Sequence, residues 1–367
     1  MRIAILLHGG VDRSGERHVI HGFLWLIERL AGRHEVHVFS RDQEPDPDDW
    51  TLLGADVHNT GTKRGWRTRL FSTFANEHKV APFHVIHGIF PWGGTYGALL
   101  GARYHLPVLF HAAGGEFVDL PDIAYGTGTT SRGRAALRIA LLGARRVTVA
   151  SAPMQRLAAA HGVDAEVVPI GVALDRWPPM APRHRDPRRP ARLLHVGDLR
   201  PVKDQPTLLA AMNLLREHDA KFQLDMVGVD TMNGTLQRGD VARTLGNNIR
   251  WHGHLCHEAL RRLMSDADVL LVTSRHEAGP IVALEAAVLG VPTVGTAVGH
   301  VSEWAPRAAI AVPVGDAEGL ARETIALLDD EERRLDIANE AQRRAVSIDA
   351  DYTATAFERI YDELQDR

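Results

Sequence analysis

Cysteine is nearly missing from this chain. Cys256 is the single one in 367 residues, so no intrachain disulfide can form and a reducing compartment is the simplest setting. A charge excess of one sign is missing too: 42 Lys and Arg stand against 46 Asp and Glu, a formal net charge of -4. A dedicated nucleic-acid binder is usually clearly basic, which sets that class aside. No apolar run approaches the roughly 18 residues of a membrane-spanning helix. The N-terminal MRIAILLHGG is too short for a signal-peptide core with its cleavage site and reads straight into a glycine loop. HGGVDRSGE lacks the G-x-G-x-x-G spacing of a dinucleotide site, and no G-x-x-x-x-G-K-[ST] phosphate loop occurs. The expectation is a soluble, cytoplasmic protein, at most attached to the inner face of a membrane.

What is present is ordinary globular composition, 45% hydrophobic and 24% charged, at a length that favours two domains. The first half alternates strands (RIAILL, HEVHVFS, HVIHGI, LPVLFHA, RRVTVAS, AEVVPIG) with helical segments. Arg17 to Leu30 places Val19, Phe23, Leu26, Ile27 and Leu30 on one helical face. Arg176 to Arg192, RWPPMAPRHRDPRRPAR, then breaks the pattern. Rich in proline and arginine and without apolar period, it reads as a stiff, solvated spacer. The second half starts again: RLLHVGD, the helix QPTLLAAMNLLREH, KFQLDMVGV, NIRWHGH, the helix HEALRRLMSDA, DVLLVTS, VPTVGT and AIAVPVG. Strands alternating with helices mean mostly parallel sheets covered on both faces. The fold class is α/β, with two Rossmann-like domains at 1-178 and 190-349 facing each other across a cleft. Ligands in such sheets bind beyond the carboxyl ends of the strands.

Two motifs in the second half carry chemistry. In SRHEAGPIVALEAAVLGVPTVGT, Glu277 and Glu285 have seven residues between them and bracket a Gly-Pro turn that opens an apolar helix. The helix N-terminus and the loop's backbone N–H groups suit phosphate, and a carboxylate one turn in can accept both hydrogen bonds of a vicinal diol. Taken alone, such a pair is more often a solvated loop residue and a surface helix residue; the strand, Ser274 and glycine around it favour the functional reading. In HVGDLRPVKDQPTLLAA, Gly197 follows a strand and allows close backbone approach. Lys203 lies before a helix capped near Asp204, where a lysine can neutralise a diphosphate leaving group. The bland alternative makes Lys203 and Arg200 ordinary surface cations.

These two motifs together resemble retaining glycosyltransferases of the GT-B fold, family 4. LLHGG, LPVLFHAAGGE and VVPIGVALDRW resemble that family's N-terminal segments, so the likeness spans nearly the whole chain. The resemblance implies a last helix, about 350-367, that crosses back to the N-terminal domain. It implies that Glu285 binds the donor ribose, that Glu277 contacts the transferred sugar, and that Ala278, Gly279, Pro280 and Ile281 line sugar and phosphates. Lys203, with Arg200, would hold the diphosphate. Gly197 and Gly10 would approach the phosphates, and His111 would face the sugar. The donor would be a nucleoside diphosphate sugar such as a UDP- or GDP-sugar, the acceptor a carbohydrate or a lipid-linked molecule. No cofactor and no catalytic metal are implied.

Two departures stand out. Many family members carry arginine where this chain has Asp198, an acid that would repel a diphosphate unless it points away. The usual Gly-Phe-Gly after the first glutamate is Ala-Gly-Pro, and Pro280 has no N–H. Among 20 histidines, His111 is raised only by the family likeness, and Glu116 beside it is a lesser candidate for acceptor binding. WHGHLCHEA gathers His252, His254, Cys256 and His257, but a strand-to-helix turn would scatter their side chains, and no metal is expected there. TKRGWRTRLFSTF, from Thr62, mixes cations with aromatics. Its preferred reading is an amphipathic helix packed on its own domain, with a peripheral membrane contact kept open. Rival functions are a nucleotide-sugar epimerase or phosphorylase on the same fold, and a catalytically silent sugar-nucleotide-binding subunit.

Overall fold

A computed structural model describes residues 1-366. By its internal contacts the chain divides into two units, Met1–Gly171 with the C-terminal segment from Asp349, and Val172–Ile348.

The first unit is built on strands β1 (Arg2–Leu7), β2 (Glu35–Ser40), β3 (Asp48–Leu52), β4 (Ala55–Asn59), β5 (Val85–Ile89), β6 (Val108–Ala112), β7 (Arg146–Val149) and β8 (Glu166–Val167). They form one sheet in the order β3-β4-β2-β1-β5-β6-β7-β8. All neighbours run parallel except β3 and β4, which are antiparallel. Helices α1 (His21–Ala31), α2 (Trp66–Val80), α3 (Phe90–Tyr104), α4 (Ser131–Gly143) and α5 (Ala152–Ala160) connect the strands. β1 is buried at every position, as a central parallel strand covered on both faces must be. The helix expected from Arg17 begins later, at His21. His18 adopts φ 52°, a left-handed backbone that a helix cannot contain, and Val19 instead bridges to Gly10 and Val11.

The second unit carries β9 (Ala191–Val196), β10 (Phe222–Val227), β11 (Ile249–Gly253), β12 (Val269–Val272), β13 (Thr293–Thr296) and β14 (Ile310–Val312). Their order is β11-β10-β9-β12-β13-β14, with every pairing parallel. Around them lie α6 (Gln205–Glu217), α7 (Asp240–Leu245), α8 (His257–Ser265), α9 (Ile281–Val288), α10 (Gly299–Trp304), α11 (Ala317–Asp329) and α12 (Glu331–Ser347). Each unit is thus a parallel-sheet, Rossmann-like domain.

The last helix, α13 (Ala350–Gln365), belongs to the first unit. Ala354, Phe357, Ile360, Tyr361 and Leu364 join the core of Ile3, Ile5 and Leu26. The Tyr361 hydroxyl lies 2.7 Å from His87 Nδ1. Burying side chains such as Phe357 and Ile360 contributes about 1.5–3 kcal/mol each.

The segment Arg176 to Arg192 is not a solvated spacer. Trp177 is fully buried, and Arg183 Nε donates to the Ser265 carbonyl at 3.1 Å. Arg189 grips the buried Asp268 with both guanidinium nitrogens, at 2.9 and 2.7 Å. Gly290, at φ 70°, makes room for it: a Cβ there would fall 2.6 Å from the nitrogen of Pro182. The segment is a strap bound to the second unit. Buried carboxylates recruit such partners because an unpaired buried charge is costly.

Among the described residues, no helix is long and apolar enough to cross a membrane.

Candidate functional site

In the second sheet β9 is the first strand in sequence, with β10 on one side and β12 on the other. Chain connections therefore leave in opposite directions at β9 and β12, the switch point where open parallel sheets form their ligand crevice. The loops after these two strands bear the two motifs. After β9, Gly197 leads through Asp198 to a single 3-10 turn, Pro201–Lys203. After β12, Thr273 to Pro280 runs into α9.

The two loops are stitched together. Thr273 Oγ1 donates to the Lys203 carbonyl at 2.8 Å, and the Arg275 N–H donates to the Val202 carbonyl at 2.8 Å. Across this seam Lys203 Nζ meets Glu277 Oε1 at 2.6 Å, and Ser274 Oγ donates to the same oxygen at 2.6 Å. The Lys203 stem crosses Gly197, where a Cβ would stand 3.4 Å from its methylene carbons. Burial pushes the Glu277 carboxyl up, but the Lys203 charge and hydrogen bond and the Ser274 hydroxyl outweigh it. The group is held below the usual carboxylate range. The site is a fixed cation–carboxylate pair at the crevice, beside the N-terminus of α9. No side chain caps that terminus, and its first turn carries no acid, so its N–H groups are the ones an anion would meet. Ala278 and Pro280 are buried in the loop, Gly279 and Ile281 half-buried.

Asp198 points away from the crevice. Its Oδ1 accepts the Val229 N–H at 3.0 Å, and its carbonyl accepts Gln205 Nε2 at 3.0 Å. It ties the β9 loop to the β10 loop, where Gly228 passes so close to Gly197 that a Cβ would lie 2.1 Å from the Gly197 oxygen. Arg200 is exposed and available to an anion. Asp204 takes the N-cap position of α6 as expected, but in a left-handed conformation, and its carboxylate accepts the Thr207 hydroxyl at 2.7 Å.

Glu285 sits one turn into α9, in a different neighbourhood from the Lys203–Glu277 pair. It is 4% exposed, with Oε1 3.6 Å from His257 Nε2. Trp177 Nε1 donates to its carbonyl at 2.9 Å, and the Trp177 and His257 rings lie 4.4 Å apart. Neither Trp177 nor His257 stands out in the sequence as a companion of Glu285. His195, on β9, was equally unmarked. It is buried, with Nδ1 3.0 Å from the Leu271 carbonyl, and burial lowers its pKa to about 4, so it is neutral at physiological pH.

In the first unit, Gly10 adopts φ 92°, but its N–H is committed. Gly10 and Val11 both donate to Gln43 Oε1 at 2.8 Å. His111 lies next to last in β6, fully buried, with Nδ1 2.9 Å from Thr148 Oγ1. Burial lowers its pKa to about 3. Glu116 is also buried, and burial raises its pKa to about 7 against the pull of backbone N–H groups. One of these, from Gly114, donates to Oε2 at 2.7 Å; Oε1 has no hydrogen-bond partner among the described residues.

The histidine-cysteine cluster scatters as its turn requires. His252 Nε2 lies 2.7 Å from Asp225 Oδ1, His257 turns to Trp177, and Cys256 is exposed. His37, His58 and Glu77 do bring ligand-type atoms within 4.8 Å of one another. There, however, His37 Nδ1 and His58 Nε2 stand 3.0 Å apart in rings only 6° from parallel, the geometry of an N–H···N hydrogen bond. The Arg2 guanidinium, 2.8 Å from Glu77 Oε2, supplies the cation. The segment from Thr62 forms α2, and its Trp66, Leu70 and Phe74 pack into the domain.

With this geometry in place, residues 180–344, nearly the whole second unit, match Glycosyl transferases group 1, and residues 20–173 match the Glycosyl transferase 4-like domain. The two halves of the chain thus match two glycosyltransferase domain families in succession. A glycogen synthase of Mycobacterium tuberculosis is 32% identical over 53% of this chain and 47% of its own length. A D-inositol 3-phosphate glycosyltransferase of Kineococcus radiotolerans is 27% identical over 79% of this chain and 74% of its own. The chain spans about half the length of the glycogen synthase that it matches. A sucrose-phosphate synthase from Thermosynechococcus elongatus superimposes with a TM-score of 0.81 at 22% identity, over 99% of both chains. Anabaena HepE, solved in complex with UDP and glucose, superimposes with a TM-score of 0.75 at 16% identity, over 99% of this chain and 100% of its own. At such identities the superpositions establish the GT-B fold.

Proposed function

We propose that the protein transfers a sugar from a nucleoside diphosphate sugar to a carbohydrate or lipid-linked acceptor, with retention of anomeric configuration and without a catalytic metal. One observation carries the reading: the Lys203–Glu277–Ser274 constellation at the β9/β12 switch point, beside the bare N-terminus of α9. A diphosphate placed there meets a lysine, exposed Arg200 and a helix N-terminus that no side chain caps. Glu277, already ionised, accepts hydroxyls of the transferred sugar. Glu285 accepts the ribose diol. Lys203 exchanges its carboxylate partner for the phosphates when the donor binds, so its cation is held in place beforehand at little reorganisation cost.

In the retaining step the acceptor oxygen bonds to the anomeric carbon while the bond from that carbon to the diphosphate oxygen breaks. The acceptor proton passes to the departing diphosphate on the same face. No separate protein base is needed, and Lys203 stabilises the charge that develops on the leaving group. His111 and Glu116, at the carboxyl end of β6, are assigned to the sugar and acceptor side. The protein is assigned to the cytoplasm, with a peripheral contact at the inner membrane face.

A catalytically silent subunit would follow if Asp198 repelled the phosphates; its carboxylate accepts the Val229 N–H instead. The test is incubation with a panel of UDP- and GDP-sugars, with and without acceptors and with a chelator, reading product anomers by NMR. Transfer with retained configuration, insensitive to chelator, is expected. Isomerised donor in the absence of acceptor would establish the epimerase alternative in its place.

A further inference from the structure

Glu285 is almost wholly buried, and among the described residues its carboxylate has one basic side chain in ion-pair range, His257, with Nε2 3.6 Å from Oε1. A buried carboxylate left without donors is costly, so the imidazole beside it decides how the acid is held. An ionised carboxylate only accepts hydrogen bonds, so the ring nitrogen turned toward it is the one that carries the proton. His257 is itself backed from another element. It is the first residue of α8, and its ring lies 4.4 Å from that of the fully buried Trp177. Trp177 Nε1 donates to the Glu285 carbonyl at 2.9 Å, and the same carbonyl accepts the Leu289 N–H at 3.3 Å. One indole thus fixes the backbone of Glu285 and supports the imidazole that faces its side chain. The strap, α8 and α9 converge here within the second unit.

We propose that His257 is the positioning residue of Glu285, and that through it the site selects ribose over 2′-deoxyribose in the nucleotide. This rests on the assignment of Glu285 to the ribose diol. The imidazole N–H stands on the Oε1 side of the carboxylate and orients it, and the remaining lone pairs are the ones that a 2′,3′-diol meets. A 2′-deoxyribose brings one hydroxyl fewer. It leaves a buried charged acceptor without its partner, which is how a site built to bond a hydroxyl rejects the analogue that lacks it. Without the His257 N–H the carboxylate loses that orientation, and the second hydroxyl loses its advantage. The phosphate contacts are separate, because Lys203 pairs with Glu277 and not with Glu285. Removing the imidazole therefore acts on the nucleoside sugar and leaves the grip on the diphosphate in place.

The test is calorimetric titration of UDP, GDP, 2′-deoxy-UDP and 2′-deoxy-GDP into the full chain and into His257→Phe and His257→Leu. The better-bound base is compared in its ribose and deoxyribose forms. The parent should favour the ribonucleotide by about tenfold or more, the weight of one hydrogen bond to a charged group. Both variants keep an apolar side chain against Trp177 and lack the N–H. In each, the ribonucleotide should weaken about tenfold and the deoxynucleotide by less than about twofold, so the preference collapses. Unchanged deoxynucleotide binding also shows that the variant is folded, and the second variant serves if the first is not. The proposal is overturned if a folded variant keeps the parent's preference. It is overturned equally if both nucleotides weaken together, the mark of a residue that only packs. A parent that binds the nucleotides without preferring ribose overturns the role of Glu285, and this proposal with it; a parent that binds none of the four overturns the donor site as a whole.

Discussion

Lys203 and Glu277, from loops after two different strands, meet at 2.6 Å across the seam between β9 and β12. Their pairing sets the resting charge of the crevice. It also makes stability depend on pH with a definite sign. Glu277 is held below its ordinary pKa in the folded protein, so its contribution is present above the unfolded value, about 4.3, and is lost as pH falls through the folded value. Glu277→Gln should therefore be less stable than the parent at neutral pH, by about 1 kcal/mol for this partly exposed pair. The gap should close in acid, as measured by chemical denaturation across pH. A gap that stays constant with pH would show that the carboxylate does not contribute through its charge.

Glu116 should act in the opposite sense. Its carboxyl is raised to about 7 in the fold, so between about pH 4.5 and 7 the unfolded chain is ionised while the folded one keeps its proton. Stability then falls as pH rises through that window and levels off above it. Glu116→Gln should remove this decline, which amounts to at most about 3 kcal/mol. Denaturation midpoints at acid and alkaline pH measure it.

Asp198 separates a structural acid from a repelling one. Asp198→Ala removes the acceptor of the Val229 N–H and should cost about 1 kcal/mol of stability, with donor affinity changed less than about threefold, well under the tenfold that 1.4 kcal/mol represents. A large gain in donor affinity would mean that the carboxylate faces the phosphates after all.

The strap should carry stability as well. Arg189→Met leaves the fully buried Asp268 with fewer counter-charges, and a loss of about 1–3 kcal/mol is expected in urea unfolding, below the cost of a wholly unpaired buried charge because Arg183 remains nearby. A spacer arginine would change nothing measurable.

How far these relationships were legible in the sequence depends on how local they are. The buried strands and the helices α6 and α8 announce themselves by apolar period, α9 by its apolar content after a Gly-Pro turn, and the fold follows from their alternation. The β3–β4 hairpin was not visible. Both strands are short, β3 is largely exposed at the sheet edge, and the turn between them is Leu53-Gly54, both at positive φ, without the Asn-Gly or Asp-Gly signal that marks such turns. The strap was misread because proline and arginine describe a spacer equally well, and its partner Asp268 lies far along the chain. A glycine loop after a first strand suits close approach of Gly10 to a phosphate, but nothing local says that Gln43 takes up its N–H. Lys203 and Glu277 were each chosen for chemistry, but their contact depends on the strand order.

The most direct test of the central claim is calorimetric titration of nucleoside diphosphate sugars into the parent chain and Lys203→Ala. At least one donor should bind the parent and lose about tenfold or more in affinity in the variant, the weight of a charge-assisted phosphate contact. Equal affinity for both proteins, or no binding of any nucleotide sugar to the parent, would contradict the account.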